Sequence, residues 1–161
     1  MINKNENAAA AAKKNKKSAF DYGAGLLSAR DYSKAAVLKK MLQKAYSEDE
    51  SQAAVKQLEE YGYLDDVRYA ERYVQILKER GYGPAYVRNK LAQDGIGREL
   101  ISRFCIFGAE EQLKMAQDIA DDFMQSCEKL DEKSLAKLAR HLAAKGYDPS
   151  VIYSVLDRVR P

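Results

Sequence analysis

The side chains best able to do chemistry are few and scattered. The chain has 161 residues, with one histidine, His141, and two cysteines, Cys105 and Cys127. Catalysis requires a nucleophile with a base in reach, or a metal or phosphate site. His141 stands beside Leu142 in an unbroken helical pattern with no second catalytic group in register, which reads as a structural or exposed imidazole. A zinc site takes about four soft ligands at short spacings. The two cysteines have no CxxC spacing and no histidine nearby, and fall on apolar helix faces, so they read as buried small hydrophobes. Asp65-Asp66 is a carboxylate pair in sequence only, because adjacent helix residues point about 100° apart, and Asp65 suits an N-cap. Asp118, Asp121 and Asp122 share a helix face, as a solvated face or the counterpart of a basic partner would. Gly81-Tyr82-Gly83-Pro84 has no strand before it and no Gly-Lys-Ser/Thr ending, so it is not a phosphate loop. The expectation is a protein that is not an enzyme, with no metal and no cofactor.

The surface is more informative. Residues 67–103 hold eight basic side chains against four acids: Arg68, Arg72, Lys78, Arg80, Arg88, Lys90, Arg98 and Arg103. Arg68 and Arg72 lie one turn apart, opposite the Tyr73/Leu77 stripe. Tyr61, Tyr63, Tyr69, Tyr73, Tyr82 and Tyr86 crowd the same region. Interfaces favour Tyr and Arg, and so do nucleic-acid grooves. Tyrosines that pack between helices and arginines that keep a surface soluble account for the same residues, and both readings stay open. The net charge of +3 does not settle the matter, because six of the basic residues and only two acids fall in the first 30 residues. The remaining 131 residues sum to −1. An apolar fraction of 46% excludes wholesale disorder. No apolar run approaches the length of about 18 residues that a membrane span needs, and the N-terminus has no apolar signal core. A cytoplasmic protein away from the membrane is expected.

The elements that must position these residues are helices. Residues 1–17 are Asn, Ala and Lys in low-complexity order, read as a disordered basic tail. From residue 18 on, the pattern is helical almost without interruption and strand alternation is absent. Ser33 and Ser47 are N-caps, the latter forming a capping box with Glu50. Gly62, Gly81, Gly95 and Gly146 stand where helices stop. Pro84 and Pro149 suit first helical positions. A short helix starts near Arg98, a long one near Ala109, and Asp131 caps another.

The helices repeat. A shift of 51 residues places Val87 on Leu138, Leu91 on Leu142, Gly95 on Gly146 and Ile101 on Ile152, and a shift of about 50 relates Tyr46 to Ile96. The expectation is an all-α, elongated array of three tandem three-helix repeats at 18–64, 65–107 and 108–161. Gly81-Tyr82-Gly83-Pro84 and Gly146-Tyr147-Asp148-Pro149 also resemble each other, at a shift of 65. That register mixes different turns of the repeat, and the 51-residue one matches more core positions.

The central segment carries a more specific signal. Gly62-Tyr63-Leu64-Asp65-Asp66-Val67-Arg68-Tyr69-Ala70 resembles the G-Y-L-D-D-x-R-[FY]-A signature of the RecX family. Arg80-Gly81-Tyr82-Gly83-Pro84, Val87-Arg88, Leu91 and Gly95-Ile96 resemble its continuation, and Arg30-Asp31-Tyr32-Ser33 with Leu38 and Leu42 its opening. Ala36-Val37 stands where Glu-Leu is usual, and the turn before Tyr46 looks one residue short of the family's K-G-[YF]. The resemblance covers roughly residues 30–105 closely and the C-terminal repeat loosely.

The resemblance implies a non-enzymatic, cytoplasmic regulator of the RecA recombinase in DNA repair. It would bind as a monomer to the RecA–single-stranded-DNA filament and inhibit extension, ATP hydrolysis and strand exchange, with the DNA a weaker contact. The eight cations above are its candidate partner-binding residues. Gly62, Tyr63, Leu64, Asp65, Gly81 and Gly95 read as structural. The alternatives are a helical module acting on DNA directly through its basic tail and Arg-rich centre, and a passive protein scaffold.

Overall fold

A computed structural model describes residues 17–127 and 131–160. The expected basic tail therefore lies outside the described residues, apart from Lys17. Among the described residues there are nine helices and no strand. They are α1 (Ala19–Ala29), α2 (Lys34–Gln43), α3 (Glu48–Glu60), α4 (Asp66–Glu79), α5 (Pro84–Gln93), α6 (Arg98–Phe104), α7 (Ala109–Gln125), α8 (Glu132–Ala144) and α9 (Pro149–Val159).

Local chemistry explains the boundaries. Ser33 Oγ accepts the Ala36 amide, and Asp131 accepts that of Ser134. Ser47 and Glu50 exchange both bonds of the capping box. The stops are equally regular. Tyr46, Ile96 and Tyr147 donate their amides back to the carbonyls of Met41, Leu91 and Leu142 at 3.2, 3.0 and 3.2 Å. The residue before each of them is left-handed: Ala45 at φ +64°, Gly95 at +78° and Gly146 at +87°. These are paired helix-ending turns, and they recur at the spacing that relates the repeats. The turn before Tyr46 is thus of full length, not one residue short. Ala45 stands there in place of glycine, in a conformation that costs an L side chain about 1–2 kcal/mol.

Three apolar cores follow the chain in order. Val37, Met41, Ala54, Leu58 and Leu64 centre the first, on α1–α3 and the turn after them. Val74, Leu77, Val87, Leu91 and Ile101 centre the second, on α4–α6. Ala116, Ala120, Leu138, Leu142 and Val155 centre the third, on α7–α9. The chain divides between Asp66 and Val67 into two compact units, the second holding two of these cores.

In the first unit Gly23 of α1 is buried, and a Cβ there would come within 2.6 Å of both Leu58 Cδ1 and Met41 Cε. Asp66 accepts the Lys34 amide at 2.9 Å, so this carboxylate caps α2 rather than serving chemistry. In the second unit Cys105 is buried at the end of α6. Cys127 departs from the expectation. α7 closes at Gln125, so the cysteine lies past the helix end and is half-buried.

Candidate functional site

The eight central cations do not share one fate. On α4 the buried stripe is Ala70, Val74 and Leu77, and Arg68 and Arg72 are exposed on the other side, one turn apart. Arg80 is exposed just past the end of α4, and Arg88 is exposed on α5 beside buried Val87. Arg98 is exposed at the first position of α6. A cation there opposes the helix dipole, so helix stability does not explain it.

Lys78 points elsewhere. Its ammonium donates to the Ile106 carbonyl at 2.7 Å and to Glu111 Oε1 at 2.9 Å, and sits 4.3 Å from the centroid of the Phe107 ring. Only 17% of the side chain is exposed. Lys78 therefore fastens the end of α4 to the start of α7. Its hydrogen bond holds the Glu111 carboxyl below the usual range. Lys90 lies 3.8 Å from Asp94 one turn on, and the Arg103 guanidinium sits 5.0 Å over the Phe104 ring. Arg68, Arg72, Arg80, Arg88, Arg98 and Arg103 are all exposed.

The tyrosines also divide. Tyr61 and Tyr63 are exposed and meet the Phe20 ring edge-on. Tyr69 and Tyr73 stack at 5.3 Å, and the Tyr69 hydroxyl donates to Asp94. Tyr82 and Tyr86 stack at 4.0 Å, and hydrogen bonding between them raises the Tyr86 phenol. These four pack between helices, as the structural alternative holds.

Chemistry remains scarce. Among the described residues no group of three His, Cys, Asp or Glu could hold a metal. Burial pushes the Cys105 thiol up, and the charges of Arg88 and Lys78 draw it only partly back. His141 is exposed on α8. Asp121 does not share the role of its neighbours, because it pairs with Arg158 of α9. Asp118 and Asp122 make no ion pair among the described residues. They line a groove of about 510 Å³ together with Arg80, Gly81, His141 and Lys145, over Met115, Ile119 and Phe123. Sequence reasoning did not find this groove. Its walls lie on helices far apart in the chain, which no local sequence pattern brings together.

A family model described as "RecX, second three-helix domain" matches residues 65–103. A "Regulatory protein RecX" of Legionella pneumophila is 29% identical over 142 residues, 88% of this chain and 95% of the relative. Another, of Trichlorobacter lovleyi, is 30% identical over 138 residues, 83% of this chain and 90% of the relative. A solved structure described as a crystal structure of regulatory protein RecX superposes with a TM-score of 0.73 at 24% identity, covering 98% of this chain and 79% of that one. The last likeness establishes the shared helical fold, and the matched segment 65–103 contains all eight central cations.

Proposed function

Because this chain belongs to the RecX family of regulatory proteins, we propose that it regulates the RecA recombinase without catalysis of its own. It binds the RecA–single-stranded-DNA filament in the cytoplasm as a monomer and inhibits extension, ATP hydrolysis and strand exchange. The observation that carries this reading is the set of exposed arginines on α4–α6, inside the segment that matches the family. Arg68, Arg72, Arg80, Arg88, Lys90, Arg98 and Arg103 are the contact residues, while Lys78 fastens α4 to α7. Of the three repeats at 18–64, 65–107 and 108–161, the second carries this surface. An arginine fork matches carboxylate and phosphate alike, which suits a filament built of protein and DNA.

The test adds the protein to preformed RecA filaments and follows ATP hydrolysis. Reversing Arg68, Arg72 and Arg88 to Glu together should raise the half-inhibitory concentration at least about tenfold, since one interface hot spot alone costs about 2 kcal/mol on truncation. The helical circular dichroism should be unchanged. Equal inhibition by the triple variant would sink the assignment of this surface. The second reading, direct action on DNA, is favoured by the same exposed arginines. It requires tight binding to naked DNA that weakens steeply with salt, in proportion to the phosphates neutralised.

A further inference from the structure

We infer that the two like turns at 80–84 and 145–149 form a joint that holds α4–α6 and α7–α9 as one body, a positioning device for the partner surface. The inference rests on the regulatory reading above only for its functional arm.

Four hydrogen bonds cross the joint. The Gly83 amide donates to the Lys145 carbonyl at 2.8 Å, and the Ala85 amide to the Gly146 carbonyl at 3.1 Å. Lys145 Nζ donates to the Arg80 carbonyl at 3.1 Å, and the Tyr147 hydroxyl to the Gly81 carbonyl at 3.0 Å. Three of these bonds use a group that a helix end leaves without a partner, and the fourth uses the carbonyl of Gly81, just past such an end. Gly83, the N-cap of α5, offers no side-chain cap, and Pro84 has no amide to offer. The carbonyls past the end of α8 supply the missing acceptors. The carbonyls past the end of α4 receive an ammonium and a phenol. Positive N-terminus meets negative C-terminus at the first pair, and a cation meets a C-terminus at the second, both the favourable sense of the helix dipole.

Sterics separate this joint from an ordinary turn. Gly83 has φ −80°, which any residue adopts, yet a Cβ there would lie 2.6 Å from the Gly146 carbonyl oxygen. A Cβ on Gly146 would lie 2.3 Å from the Tyr86 amide nitrogen. At Gly62, by contrast, a Cβ would meet nothing within 4 Å. Glycine at 83 is thus required by the approach of the other turn, not by its own backbone. Lys145 Nζ also lies 4.6 Å over the Tyr82 ring, which stacks on Tyr86. Tyr147 is 4% exposed, and burial, aided by the Asp118 charge, pushes its phenol up to about 12.

The joint has a direct bearing on the surface. Arg80 and Lys145, whose backbones build it, line the groove with Asp118 and Asp122 of α7. Its rigidity fixes how far the exposed arginines of α4 and α5 stand from those acids.

The experiment is amide hydrogen exchange on the full chain, beside RecA-filament ATPase inhibition. In the wild type the Gly83 and Ala85 amides should exchange as slowly as the core amides of α5. Tyr147→Phe, which removes one hydroxyl from the joint, should speed both by about fivefold, the effect of one hydrogen bond. Gly83→Ala should speed them further and leave α1–α3 unchanged, with the half-inhibitory concentration raised in the same order. Loop-like exchange at Gly83 and Ala85 in the wild type overturns the joint. Faster exchange in both variants with unchanged inhibition overturns its positioning role. A wild type that leaves RecA filaments untouched overturns the regulatory reading instead, and the exchange arm still decides the joint.

Discussion

Lys78 illustrates how far residue type alone carries an argument. Its place in the run of eight cations was plain from the sequence, but its partners, Ile106 and Glu111, lie 28 and 33 residues away. No local pattern encodes such a contact. The Lys78→Met variant should lose about 1.5–3 kcal/mol, the range for charge-assisted hydrogen bonds, toward the low end because half-exposed Glu111 is screened. Urea unfolding measures it. The pH dependence has a definite sign. Glu111 is held below its ordinary value by Lys78, so its contribution is present above the unfolded-state pKa and is lost as pH falls through the folded one. The deficit of Lys78→Met should therefore be full at neutral pH and shrink in acid. An equal deficit at both would show that packing, rather than the ion pair, fastens this side chain.

Helix ends were the most legible elements, since a cap needs only a few neighbouring residues. Ser33, Ser47 and Asp131 all accept the amides expected of them. α1 was harder to delimit, because Gly23 and Gly25 interrupt its pattern and each glycine costs a helix about 1 kcal/mol. What offsets that cost is tertiary. Gly23 lets Leu58 and Met41 pack against the bare backbone, whereas Gly25 faces open space. The two should respond in opposite directions. Gly25→Ala should stabilise the protein by about 0.5–1 kcal/mol, and Gly23→Ala should destabilise it by about 1–3 kcal/mol through overpacking. Denaturant midpoints of the pair check this, and equal shifts would remove the packing account of Gly23.

At the scale of the whole chain, the 51-residue register was visible because equivalent core positions and helix stops recur in order. The resemblance at a shift of 65 looked like a competing register. It instead joins two turns that touch, Lys145 reaching Arg80 and Tyr147 reaching Gly81. Sequence comparison detects likeness and cannot distinguish a shared position from a shared contact. The net charge of +3 proved similarly coarse, because the first 30 residues carry the excess and the exposed arginines sit in a body that sums to −1.

The span of that joint bears on the order of folding events. Its bonded partners lie 61 to 66 residues apart, whereas each core is built from helices adjacent along the chain. Contacts of long sequence separation carry the larger loop-closure cost and are rewarded late. The helical trios should form first and the joint close after the rate-limiting barrier. In stopped-flow chevrons, Gly83→Ala should therefore accelerate unfolding of the second unit while leaving its refolding rate nearly unchanged. Slower refolding would place the joint in the nucleus. The lifetime of the native state, more than the speed of reaching it, is what these two turns control.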